Sequence, residues 1–152
     1  MVDADTERFT VAVFQDASWA GKGLAALKAA GFTAAMLSII AKDAPDAAAL
    51  IEKTFSGKGD RVEIAGLGPM IGRGSLVAAL QGSARDLEKI GIAGAMHRVG
   101  FQPHDGRIFE ALTGRGGVLV AIQTEPRAAD ALAILFSYGG GNAAIGAWTG
   151  RV

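Results

Sequence analysis

Short runs rich in β-branched and aromatic residues recur along this chain, and most are followed by a stretch with helical apolar spacing. That alternation limits the fold more than any other feature, because it calls for helices layered on a sheet. Residues 9–14 carry Phe9, Val11, Val13 and Phe14 and read as a first strand. Asp16 or Ser18 stands where a helix cap belongs, Leu24 and Leu27 share one face, and Gly31 supplies the stop. Residues 34–41, with Met36, Leu37, Ile39 and Ile40, are apolar on both faces, as in a strand buried within a sheet. Asp43 and Pro45 open a second helix bearing Leu50, Ile51 and Phe55. Residues 56–60 turn the chain, and residues 61–64 alternate polar with apolar as a third strand.

Glycine punctuates residues 66–100, within which the spacing predicts a helix over 75–90. Gln102, Pro103, His104 and Asp105 open another helix, with Ile108, Phe109 and Leu112 on one face and Gly114 at its end. Residues 118–122 form the clearest strand of all. Glu125 and Pro126 begin a last helix whose Ala129, Leu132, Leu135 and Phe136 face inward. Gly139, Gly140 and Gly141 break it, and residues 143–148 read as a closing edge strand. No polar linker divides the chain, and 152 residues suffice for one buried core. The expected fold is therefore a single α/β (α+β) domain over residues 1–152. Its type is a ferredoxin-like sandwich, a sheet with packed helices and a glycine-rich helical insertion.

Composition narrows the function. Fifteen basic and fifteen acidic residues cancel, so no field is present to hold a nucleic-acid backbone or an anionic membrane surface. Nucleic acid is not an expected partner. Cysteine is absent, which removes disulfides, thiolate metal sites and cysteine nucleophiles. The polar, acidic residues 1–8 are unlike a signal peptide. The most apolar stretch, residues 64–80, carries Arg73 in its middle, so no membrane span is expected and the cytoplasm is the default location. Mean hydropathy is nevertheless +0.30, much of it from alanine and glycine. Small residues bury little area each, so the excess points to close backbone packing or to a subunit interface, hence a homo-oligomer.

The second half has an order of its own. A glycine-rich helical segment runs into residues 92–101, then a short helix with Asp105, Phe109 and Glu110. Arg115, Gly116 and Gly117 lead into the strand at 118–122, and Glu125, Pro126, Asp130 and Leu132 follow. This order resembles the bacterial general stress (heat-induced stress) protein family, small glycine-rich α/β domains of unknown function; residues 11–32 fit its front half more loosely. The resemblance implies a non-enzymatic, stress-associated protein acting through self-association or protein–protein contact; the small residues over 66–100 and the high hydropathy make that segment the expected contact surface. It transfers no catalytic residue. Arg73, Arg85, Asp86, Glu88 and Lys89 within the glycine-rich segment, and the glycine-rich tail after Phe136, are departures that argue against a membrane-associated role.

Two places invite chemistry. Gly66, Gly68, Gly72, Arg73, Gly74 and Ser75 are expected to form a loop between a strand and a helix. There backbone N–H groups, a helix start and a guanidinium would suit a small phosphorylated ligand or nucleotide. The spacing of Gly68, Gly72 and Gly74 matches that of short-chain dehydrogenases. It lies mid-chain, however, lacks the Walker lysine, and is not followed by a Tyr-x-x-x-Lys pair, Tyr138 being the only tyrosine. The alternative is that these small residues let a helix or a neighbouring subunit pack closely. His97, His104 and Asp105 are ligand types for zinc or iron. Equally, His97 suits a helix C-terminus, and His104 with Asp105 suits a helix cap. Ser18 and Ser75 stand at helix starts without a neighbouring histidine, so neither is assigned as a nucleophile, and no catalytic residue or cofactor is expected. Trp148 is the candidate interface aromatic.

Overall fold

The computed structural model describes residues 9–99, 101–123, 130, 133 and 134. Strand β1 (Phe9–Phe14) leads into helix α1 (Ala17–Ala29). Asp16 holds an extended conformation and accepts the Trp19 N–H at 2.9 Å, so Asp16 rather than Ser18 caps the helix. Strand β2 (Leu37–Lys42) begins later than its apolar run suggests. Ala34–Met36 closes into a 3-10 turn in which the Met36 N–H reaches the Thr33 carbonyl. Helix α2 (Pro45–Phe55) starts on Pro45, whose missing N–H has no partner to lose in a first turn.

The glycine-rich stretch departs from expectation. Residues expected as a loop form strand β4 (Gly68–Gly74), which makes a hairpin with β3 (Asp60–Ile64) through a turn at 65–67. Glycine and proline argue against a strand on propensity alone. Pairing on both sides outweighs that: β4 lies between β2 and β3, and Pro69 falls beyond the end of the β2 ladder, where its missing N–H costs no bond to that strand. The helix expected over 75–90 is two, α3 (Ser75–Gln81) and α4 (Asp86–Arg98), separated by a turn at Gly82. Helix α5 (Pro103–Gly114) and strand β5 (Val118–Gln123) stand as expected.

The sheet order is β1-β5-β2-β4-β3, with all neighbours antiparallel. Strand β5 enters between β1 and β2, which α1 connects. This is the split β-α-β arrangement of a ferredoxin-like α+β sandwich. Alternate side chains serve opposite faces. Phe14, Ile39, Val120 and Ile122 pack with Leu24 and Leu27 of α1 and with Leu50 and Ile51 of α2. Val11, Val13, Ile40, Met70 and Leu119 pack with Leu80 of α3, Ile92 and Met96 of α4, and Phe109 of α5. Each such side chain contributes about 1.5–3 kcal/mol relative to exposure, so the two cores outweigh any single polar contact. Asp130, Ala133 and Ile134 are helical, and Ile134 packs against the α1–α2 layer. Ala129, Leu132, Leu135, Phe136, the triple glycine and residues 143–148 lie outside the described residues.

The starts of α3 and α4 are closed by side chains from outside those helices. No side chain next to α3 caps it; the Ser38 hydroxyl of β2 accepts the Leu76 N–H at 2.9 Å instead. Gly74 makes this possible. Its φ of 121° turns the strand directly into the helix, and a Cβ there would collide with the Leu37 carbonyl and Ser38. Helix α4 starts with the Leu87 N–H donating to the Gln81 side chain and breaks at Gly91 (φ 76°). Beyond the break, the Glu110 carboxylate of α5 accepts the Ala93 N–H at 3.2 Å. Arg98 donates to the Ala79 and Leu80 carbonyls at the end of α3 and pairs with Asp86 at the start of α4.

Candidate functional site

Strands β1 and β2 point the same way, both being antiparallel to β5. The helices that follow them therefore start at one end of the sheet and run side by side. Between α1 and α2 lies a groove of about 790 Å³. Its α1 wall is Ala17, Gly21 and Ala25, three small residues four apart on one helix face. Leu50, buried, and Ala49, exposed, form the α2 side. Leu50 reaches close enough that a Cβ on Gly21 would sit 3.5 Å from its Cδ1.

The charges around this groove are sorted along it. Asp16 and Asp46 stand at its helix N-terminal end, where partial positive charge favours carboxylates. Lys22 and Lys53 line it about 10 Å further on, six and seven residues down their helices. All four side chains belong to exposed residues. Lys22 also lies over the Trp19 ring, 4.6 Å from its centroid. Beyond the groove, Lys28 of α1 donates to the Thr54 carbonyl at the end of α2 at 2.6 Å, fixing the spacing of the two helices. The groove offers an apolar floor and two separated charge pairs. That suits recognition of a complementary surface, whereas bond-making chemistry needs polar groups converging on one point.

The six residues expected to form a phosphate loop are dispersed by β4. Gly66 and Gly68 belong to the hairpin end, whereas Gly74 and Ser75 stand about 20 Å away along the strand. Main-chain groups of β4 face ladders on both sides, to β2 and to β3, so they do not form a cradle. Arg73 donates to the Lys58 carbonyl at 2.9 Å and stacks over Phe55 at 5.5 Å. Arg73 and Gly74 do share a smaller cleft of about 290 Å³ with Arg61 and Gln81, where Arg61 pairs with Asp43 at 2.8 Å.

His97 is exposed in the last turn of α4, the position its helix-end reading implied. His104 and Asp105 sit inside the first turn of α5, after Pro103. The cap position is Gln102, without a side-chain bond, so the expected capping by His104 and Asp105 is not what forms. Among the described residues, no group of three or more histidine, cysteine, aspartate or glutamate side chains could hold a metal ion. Also among the described residues, no helix is long and apolar enough to cross a membrane. Trp148 lies outside the described residues. The groove was not among the expected sites, although the spacing of Ala17, Gly21 and Ala25 was a signal for it. No family model, curated protein or solved structure matches the chain, so the site is read from its own geometry.

Proposed function

We propose that this protein works by self-association, as a non-enzymatic, stress-associated component of the cytoplasm. The observation that carries the reading is the α1–α2 groove, an open apolar surface edged by charge of both signs. A chain with zero net charge has no long-range repulsion to keep its copies apart. Within the glycine-rich segment, first expected to be the contact surface, Gly72 and Gly74 lie against β2, whereas Gly66 and Gly68 face open space. The α1–α2 groove joins an apolar floor to charge of both signs, and that favours it as the contact. Size-exclusion chromatography with light scattering, run from low to high micromolar protein, tests this. The expected mass exceeds the monomer and rises with concentration; a monomer throughout the range defeats the reading.

A second reading places a small phosphorylated ligand in the cleft beside Arg73. What favours it is the presence of two arginines, Arg61 and Arg73, on one cleft. Both already have protein partners, Asp43 and the Lys58 carbonyl, which a ligand would have to displace or share. Melting temperatures measured with inorganic phosphate and with nucleotides decide it. A rise in the parent that disappears in Arg73→Ala supports the site, and an unchanged melting temperature with every compound removes it.

A further inference from the structure

We infer that the partner of the α1–α2 groove is a second copy of the same groove, inverted end over end. This rests on the self-association reading and adds its geometry. The four charges of the groove form two levels, Asp16 with Asp46 at one end and Lys22 with Lys53 at the other. Consider a two-fold axis lying in the interface and crossing both helices at right angles. It reverses the helix direction while keeping α1 over α1 and α2 over α2. Asp16 then faces Lys22 of the second copy, and Asp46 faces Lys53, giving four opposite-charge pairs in one closed, isologous contact. A two-fold axis parallel to the helices would instead set carboxylate over carboxylate and ammonium over ammonium. The charge pattern thus selects one orientation.

The groove floor is compatible with close approach at that axis. Ala17, Gly21 and Ala49 project little beyond their helix backbones, so two such faces can meet without displacing large side chains. Helices of 13 and 11 residues present a face of roughly 20 Å by 20 Å, about 400 Å² per copy. That is small for a specific interface, so the dimer should be concentration-dependent, not permanent.

Two charge variants test whether this groove is the interface, and a cross-link tests its orientation. Lys22→Glu with Lys53→Glu makes one end acidic like the other. Asp16→Asn with Asp46→Lys takes the acidic end from two negative charges to one positive charge while retaining a residue able to cap α1. Each variant alone should weaken dimerisation at least about tenfold by sedimentation equilibrium. Mixing the two should restore a heterodimer, because the like-charge contacts of each variant are relieved. Circular dichroism and the melting temperature confirm that both variants fold. In the parent protein, a zero-length carbodiimide should join Asp46 of one copy to Lys53 of another, read by mass spectrometry on mixed isotope-labelled chains. A parent dimer that both variants leave intact, or variants that weaken it without rescue on mixing, overturns this interface and leaves self-association standing. A parent that is monomeric throughout overturns both.

Discussion

On the face carrying α1 and α2, helix starts are written in adjacent residues: Asp16 caps α1, and Pro45 begins α2. On the opposite face, Ser38 closes α3 from a strand 38 residues away, and Glu110 supports the second half of α4 from another helix. Arg98 binds the end of one helix and the start of the next. The contrast separates two ways of satisfying the orphan groups at a helix end. A local cap works in the isolated segment, whereas a remote cap exists only once the sheet and its helices have assembled. The α3–α5 layer is therefore expected to form cooperatively with the sheet. The α1–α2 layer starts its helices locally, closes the end of α2 with the remote Lys28 contact to the Thr54 carbonyl, and leaves its outer groove exposed.

Substitutions can break this contrast most strongly at Gly74. Alanine there would have to hold a φ of 121° and collide with Leu37 and Ser38, so Gly74→Ala is expected to cost more than about 3 kcal/mol. A urea midpoint within error of the parent would show that the strand-to-helix junction is built otherwise. Next in size is Arg98→Ala, which leaves the Ala79 and Leu80 carbonyls without this donor and Asp86 without its partner. About 2 kcal/mol should be lost in urea unfolding, with amide exchange accelerating in α3 and α4 before α1.

Ser38→Ala isolates the remote cap. The Leu76 N–H would be left buried without its acceptor, at a cost of about 1–2 kcal/mol. The matching change on the other face, Asp16→Ala, should cost less, about 0.5–1 kcal/mol, because water can replace the exposed cap. Thermal unfolding of the two variants side by side checks the order. If Asp16→Ala proves the more destabilising, remote capping does not distinguish the two layers.

Patterns contained within a few consecutive residues are legible in the sequence. The runs at 9–14 and 118–122 are strands, Asp16 caps, Gly31 lies just past the end of α1, and Pro103 opens α5. Strand β4 is not legible in that way, because Gly68, Pro69, Gly72 and Gly74 argue for a loop unless β2 and β3 pair with them. Nor is the division of the 75–98 stretch, where the closing groups come from Gln81, Glu110 and Arg98. Of the candidate sites, Arg73 does border a cleft, yet Phe55 and Lys58 engage it, and neither neighbour is near it in sequence.

Residue order alone established alternating strands and helices, a balanced charge and no cysteine, since each depends on composition or on contacts a few positions apart. Only the packed molecule decided which helices lie beside each other. The insertion of β5 between β1 and β2 makes α1 and α2 parallel neighbours, and so brings Asp16, Lys22, Asp46 and Lys53 around one groove. Sheet order depends on pairings between residues far apart in the chain, and no local pattern encodes them.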